Sequence, residues 1–589
     1  MDPPSAIVVG AGAGGIATAA RLAKAGYNVT VVEKNGFLGG RCSLVHHEEY
    51  RFDQGPSLLL MPEVFYQTFR DLDTSPEQEN LRFLKCEPNY RIWFSDHDHL
   101  ELSTDLCKLK PQIEHYEGKE GLQNFFGFLR ESGRHYDLSM EHVLSKDFPD
   151  LLAMLRPKLL VSLLSLHPFE SMWSRVQRHF KSDKLRRAFT FASMYLGMNP
   201  FEAPGTYSLL QYTELAHGIF YPEGGFVKVL EALADVGKRL GVKYRLNTEV
   251  SSVIYSSESK TRGIRLKSGE ELLADVVVIN ADLVYAYSNL LPPTSYSRSL
   301  TKRLASCSSI SFFWSFDRVI PELQVHNVFL AEQYKESFDA IFHRHQLPAE
   351  PSFYVNVPSR IDPTAAPKGK DTVVVLVPVG HLVDDPSNPQ DWDALVKHAR
   401  EVVFKTIESR TGCSRLRDSL LHESIETPTS WETKFNLDRG AILGLSHSFF
   451  NVLSFRPKIK HADIRGLYFV GASTHPGAGV PVSLSSAKIP AEHVISEDIM
   501  LAFAGWSPAE RNVCQAIPIV LSGDESVAAK AEEKLMGALS LTEYEELEPP
   551  KVRLTQVLDN CAGLGEADIS TFIGGAAMDI GNKNGQEAR

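Results

Sequence analysis

The sequence predicts an α/β protein whose main sheet is assembled from distant stretches of chain, beside a second domain of mixed sheet and helix. Three observations carry this. Residues 6–9 are a short apolar run that breaks into Gly10-Ala11-Gly12-Ala13-Gly14-Gly15, followed by a helical pattern over 16–25 and a second apolar run, 29–32, ending at Glu33. Residues 274–279 form another buried-strand pattern, which delivers Asn280-Ala281-Asp282. Residues 466–472 repeat the theme, a strand running into glycine at Gly471.

The opening unit is a dinucleotide grip, and its residue types explain why. Gly10 permits the tight turn, Gly12 and Gly14 let backbone amides approach a pyrophosphate, and Gly15 lets helix and strand pack closely. Glu33 stands where a carboxylate accepts hydrogen bonds from a ribose diol, and the phosphates sit on the positive end of the helix. A second glycine pair with arginine, Gly39-Gly40-Arg41, suits a second backbone approach with a guanidinium clamp. Gly55-Pro56-Ser57 closes the unit at about residue 60.

Residues 61–214 alternate helical stretches with polar loops and carry no further nucleotide fingerprint. Their greasiest part, 151–166, is interrupted by Pro157 and flanked by Arg156 and Lys158, which suit snorkelling toward headgroups. It reads equally as a helical patch dipping into one leaflet, with Leu159, Leu160 and Leu163 on its apolar face, or as a buried helix-turn-helix. Residues 221–226 form a turn into an amphipathic helix ending near 240. Strand patterns follow at 242–246 and 250–255, then a hairpin-like stretch at 263–272, before 274–279 returns to the nucleotide sheet. Further strands are expected at 309–315, 352–357 and 371–379, with a helix over 389–410. After the glycine-rich stretch Gly471 to Pro481 a helical pattern covers 485–500. The organisation expected is thus nucleotide-binding chain at 1–60, 215–299 and 462–500, a second domain at 61–214 and 300–461, and a loosely ordered tail at 501–589.

A chain of 589 residues exceeds one core. A net charge of −12 without a Lys/Arg cluster disfavours nucleic acid as a partner. Seven scattered cysteines without CxxC spacing argue against a disulfide framework or structural zinc, and no metal is expected. With the first strand beginning near residue 6 and no apolar run of spanning length, neither a signal peptide nor a transmembrane helix is expected.

These segments together resemble the flavin-dependent bacterial and fungal-type phytoene desaturases, within the amine-oxidase-like flavoprotein superfamily. The resemblance covers residues 5–498, and Gly471-Ala472-Ser473-Thr474-His475-Pro476-Gly477 with Val480-Pro481 is its most specific phrase. It implies a Rossmann-like FAD-binding domain, discontinuous in sequence, a substrate domain with a long apolar channel, and peripheral attachment to the cytoplasmic side of a membrane such as the endoplasmic reticulum. It places Glu33 at the adenosine ribose, Arg41 on the flavin side, Val250 against the adenine, and Gly479, Val480 and Pro481 beside the isoalloxazine. Asn280, Ala281, Asp282, Gly471 and Ala472 complete the expected cofactor site. This chain departs from the family at Glu223, where arginine is common, and at His217, where the fungal branch has glutamate. It departs again at Ser485-Ser486, where an Ala-Gly pair is usual.

The activity implied is stepwise desaturation of phytoene, a substrate without charge or hydrogen-bonding groups. Hydride passes to the flavin and a proton is lost, with oxygen or a quinone as final acceptor. Oligomeric state is not legible. His475, beside the flavin-border phrase, is the candidate catalytic base, with hydrogen-bonding of its own turn as the plainer role. Other readings of the same scaffold are a carotenoid isomerase or saturase, an amine oxidase, or a flavin-free lipid carrier of the GDP-dissociation-inhibitor type.

Overall fold

The structure is a computed structural model that describes residues 3–144, 146–387 and 389–502. The tail expected at 501–589 therefore lies outside the described residues from 503 onward, while 501 and 502 finish the helix Lys488–Ala502.

Five parallel strands from four distant stretches form the nucleotide sheet, in the spatial order Leu467–Phe469, Val276–Ile279, Ser5–Val9, Asn28–Val32 and Lys243–Arg245. A parallel sheet needs cover on both faces, which explains why Val276–Ile279 is apolar at every position. On one face lies the opening helix Ala13–Lys24, whose Ala17, Ala19 and Ala20 are fully buried. Helix Val227–Arg239, the amphipathic element expected after the 221–226 turn, packs beside it.

The second sheet has seven strands, and Ser308–Phe316, next to its edge strand Leu420–Glu426, is buried along its whole length. Side chains alternate faces along a strand. Phe312, Trp314 and Phe316 meet helix Trp392–Thr411, with Trp314 stacked 4.4 Å from Phe404, while Phe313 faces the other way onto Phe52. Asp391 caps that helix by accepting from Ala394 N at 3.1 Å, and Gly412 ends it in the left-handed region.

Two features differ from the sequence expectation. Tyr90–Trp93 and His99–Leu102 extend the second sheet from within the stretch read as helices and loops, the first pairing in parallel with His326–Phe329. Four-residue strands are too short to show a period of two. Val250–Tyr255 joins Thr261–Leu266 and Glu271–Leu273 in a separate three-stranded antiparallel sheet.

Candidate functional site

Gly10 adopts φ +101°, open to glycine at little cost, and its amide donates to Val32 O at 2.8 Å. A Cβ on Gly15 would lie 2.1 Å from Gly10 O, so helix and strand touch here through backbone alone. The opening helix then begins at Gly12 with no side-chain cap and no acidic residue in its first turn. Its first amides are left to face an anion.

Glu33 ends the second strand, buried. One carboxylate oxygen accepts from Ala11 N at 2.9 Å and the other from Asn35 N at 2.8 Å, so Glu33 also fixes the glycine turn. Gly39 N donates to Ala11 O at 2.8 Å, which lays the second glycine pair against the first. Arg41 follows, and its guanidinium donates to the Ile442 carbonyl. Among the described residues no carboxylate forms an ion pair with it, and the loss of surrounding water pulls its pKa down, opposed in part by Cys42 and Asp282. Arg41 O in turn sits against Gly55, where a Cβ would approach to 2.4 Å. An enclosed cation without an anion, next to an uncapped helix and a ring of close-packed glycines, fits the diphosphate of a dinucleotide.

These residues line one cavity of about 450 Å³. Around it the structure gathers Gly10, Gly12, Gly14, Glu33, Gly40, Arg41, Gly55, Pro56, Ser57, Val250, Asn280, Ala281, Asp282, Gly471, Ala472, Gly479, Val480 and Pro481. Gly15 alone of the expected cofactor residues is absent from the lining, because it is consumed in helix–strand packing. Asn280 anchors the meeting of segments by donating to Val470 O at 2.9 Å. Asp282 caps the next helical turn through Tyr285 N at 3.0 Å, and burial pushes its carboxyl up to about 6.

The same cavity is also lined by Phe191, Met194, Tyr195, Leu210, Tyr354 and Leu376, which give it an apolar chamber beside the glycine turns. The charged side chains of its lining among the described residues, Glu33, Lys34, Arg41, Glu249 and Asp282, all come from the segments read as nucleotide-binding. One space therefore joins a dinucleotide grip to an apolar chamber.

His475 must be corrected. It does not line the cavity; Nε2 lies 2.9 Å from Lys146 O and 3.1 Å from Val143 O, and the ring packs edge-on to Phe148. Burial holds its pKa down at about 4, so it is a weak base turned the wrong way. Both bonds run to the 143–146 segment, so His475 ties its turn to a distant stretch of chain and does not bond within that turn.

The three family departures also lie off the cavity. Glu223 pairs with Arg82 at 3.0 Å, and His217 packs edge-on to Tyr136 and Tyr212. Ser486 donates within its own helix turn to Ser483 O at 2.9 Å.

Sequence reasoning missed the groups that hold and line this site from afar. Buried Arg456 braces the 471–477 loop by donating to five carbonyls: Thr474 at 2.9 Å, Asn451 at 2.6 Å, Ser446 at 3.2 Å, Leu445 at 3.4 Å, and Ala472. His447, kept neutral by burial and by Arg456, accepts from Ala478 N at 3.0 Å. Tyr195 and Tyr354 line the cavity, and behind Tyr195 stand buried Tyr90 and Glu214, joined to it through the Tyr90 hydroxyl. The π-helical turn that carries Glu214 has no signal in the sequence.

The patch at 151–166 is neither of the two expected forms in full. Leu151–Leu155 and Pro157–Leu166 are short helices that leave Leu152 73% and Leu164 81% exposed, while Leu159 is buried against Phe148 and Leu453. Arg156 does not snorkel: it donates to Asp147 O at 2.8 Å and lies over the Phe148 ring. No helix among the described residues is long and apolar enough to cross a membrane.

Comparison with known proteins adds to this geometry. The family described as flavin containing amine oxidoreductase matches residues 13–495. A phytoene desaturase of Fusarium fujikuroi is 56% identical over 510 residues, covering 84% of this chain and 89% of that protein. A phytoene desaturase of Neurospora crassa is 56% identical over 507 residues, covering 84% of this chain and 85% of that protein. Among solved structures, an oxidoreductase of Methanosarcina mazei shares the fold at a TM-score of 0.55 and 18% identity, covering 82% of this chain and 99% of its own.

Proposed function

This chain belongs to the flavin-containing amine oxidoreductase family, in its phytoene desaturase branch, and from that premise we propose that it is an FAD-dependent carotenoid desaturase acting on phytoene. The observation that carries the reading is the continuous cavity, with the dinucleotide grip at one end and uncharged aromatic and aliphatic walls at the other. Relatives named as desaturases over most of the chain favour this over the isomerase, saturase, amine-oxidase and lipid-carrier readings.

The opening-helix amides and Arg41 hold the diphosphate, Glu33 takes the adenosine ribose, and Val250 lies against the adenine. Gly479, Val480 and Pro481 border the flavin ring, in a loop held by Arg456. When bound, the flavin supplies the two-electron acceptor for dehydrogenation. The apolar walls exclude water and bind the polyene by burial alone, at about 0.8 kcal/mol per CH₂. Ten such groups give roughly 8 kcal/mol before ordering costs, yet sliding the chain by one unit changes that total little. The closed end and bends of the chamber therefore set which bond reacts.

A hydrocarbon this long resides in a bilayer, and a surface to meet it is present. Leu152, Val161, Leu164, Phe169 and Phe450 are 70% or more exposed. The Phe169 ring lies tilted against Phe449 at 4.7 Å between centroids, and Ser454 ties the 449–455 turn to Asp150. This is a peripheral membrane face, lying in one leaflet on the cytoplasmic side. Oxygen or a membrane quinone takes the electrons onward.

Chromatography of products after supplying phytoene in liposomes under air tests the assignment. Carotenes with lengthened conjugation are expected; recovery of unchanged phytoene with fully occupied flavin would overturn it.

A further inference from the structure

A chamber built for a hydrocarbon has no use for polar groups in its wall, and each costs free energy unless it is bonded. Yet a polar cluster stands there. Tyr195 lines the chamber, and its hydroxyl meets that of buried Tyr90, which donates to Glu214 Oε1 at 3.1 Å. Glu214 is 3% exposed and sits in the π-helical turn Thr213–His217, pinned by Asn89 Nδ2 donating to its carbonyl at 2.6 Å. Among the described residues no lysine or arginine forms an ion pair with it, so the carboxyl is not there as one half of a salt bridge. The titratable groups around it are Tyr90 from strand Tyr90–Trp93, Tyr195 from the turn Phe191–Leu196, and, farther out, Tyr354 with His326.

We propose that Tyr195, Tyr90 and Glu214 form the proton relay that receives the proton released when the polyene is desaturated. The proposal rests on the desaturase reading and supplies the base that His475 does not. One allylic C–H bond breaks with its electron pair, as hydride, to the flavin as oxidant. The neighbouring C–H bond breaks the other way: its electrons become the new π bond and its proton goes to the Tyr195 oxygen. The Tyr195 hydroxyl proton moves to Tyr90, and the Tyr90 hydroxyl proton to the Glu214 carboxylate. Tyr195 is the catalytic residue that touches substrate, and Glu214 is the terminal acceptor.

The rival bases are weaker. Burial lifts the Glu214 carboxyl to about 8, with hydrogen bonds from Tyr90 and Tyr195 pulling it back, whereas burial lowers His326 to about 3. His326 stands behind the wall, fully buried: its Nδ1 lies 2.7 Å from the hydroxyl of Tyr354, a lining residue, which lies 2.8 Å from Ser57 Oγ. The branch meets the relay where the His326 ring lies 6.0 Å from that of Tyr90.

The test uses the FAD-loaded protein with Tyr195→Phe and Glu214→Gln. Anaerobic rapid mixing with phytoene in liposomes should show wild-type flavin bleaching that accelerates with pH and levels off above about 8. Each variant should be slowed by about 10²-fold or more, and Glu214→Gln should lose the pH dependence while its flavin content stays at the wild-type level. Without substrate, the infrared carbonyl band of a protonated carboxylic acid should vanish as pH rises through about 8. It should be missing from Glu214→Gln. A Glu214→Gln protein with the wild-type rate and pH profile, or no such band in the wild type, would overturn the relay. Wild-type flavin that stays oxidised with phytoene would overturn the desaturase reading beneath it, a result separable because the infrared titration needs no substrate.

Discussion

At the scale of single residues, the site is organised around charges deliberately left incomplete by the protein. Among the described residues no carboxylate forms an ion pair with Arg41, which donates to the Ile442 carbonyl and loses proton affinity through lost hydration, opposed in part by Cys42 and Asp282. Such a cation destabilises the empty protein and is satisfied only by an anion. Arg41→Met should therefore leave the thermal midpoint of the flavin-free protein unchanged or raised, while weakening FAD binding by about 10- to 100-fold, the worth of a hydrogen bond to a charged group. Calorimetry with and without FAD checks both halves. An equal loss of stability in the two forms would make Arg41 a plain structural residue. Glu33 differs, since Ala11 N and Asn35 N already engage both its oxygens; it shapes the turn as well as facing the cavity.

At the scale of elements, three turns at strand ends converge, at Gly10, Asn280 and Gly471, and the third depends on a residue outside it. Arg456 gives all its donors to carbonyls around the 471–477 loop. Arg456→Met strands those acceptors, at about 1–3 kcal/mol for each left without a partner. A lower thermal midpoint together with loss of flavin on gel filtration is expected; a stable protein with full flavin would refute the bracing role.

This element also shows what the sequence can and cannot display. Gly10 was legible because its constraint is local: the turn needs φ +101°, and only residue type meets it cheaply. The strands 250–255, 308–316 and 372–379 were legible because burial imprints composition directly. Arg456, Tyr195 and Glu214 were not, because their meaning lies in partners brought in by folding. Tyr90 and Glu214 are 124 residues apart, and Ser57 and Tyr354 are 297. His475 misled for the complementary reason: it adjoins the flavin-border phrase in sequence while its ring points into another packing layer.

At the scale of the whole molecule, residues of a parallel nucleotide sheet and a seven-stranded sheet line one cavity, and exposed apolar side chains cluster on the short helices of 151–166. The exposed side chains, not the whole 151–166 run, define that face. Leu152, Val161 and Leu164 changed together to serine should release the protein from sedimenting liposomes with FAD retained. Leu159, packed on Phe148 and Leu453, should instead cost stability when changed. Sedimentation with lipid unaltered in the triple variant would reject the membrane face.

The central claim is that flavin and polyene share one continuous, water-poor space. Anaerobic single-turnover mixing of the FAD-loaded protein with phytoene in liposomes tests it most directly, reading flavin absorbance and polyene absorbance together. One new conjugated double bond formed for each flavin bleached is the result expected. Flavin that remains oxidised while bound polyene is unchanged, or bleaching with no matching double bond, would contradict it.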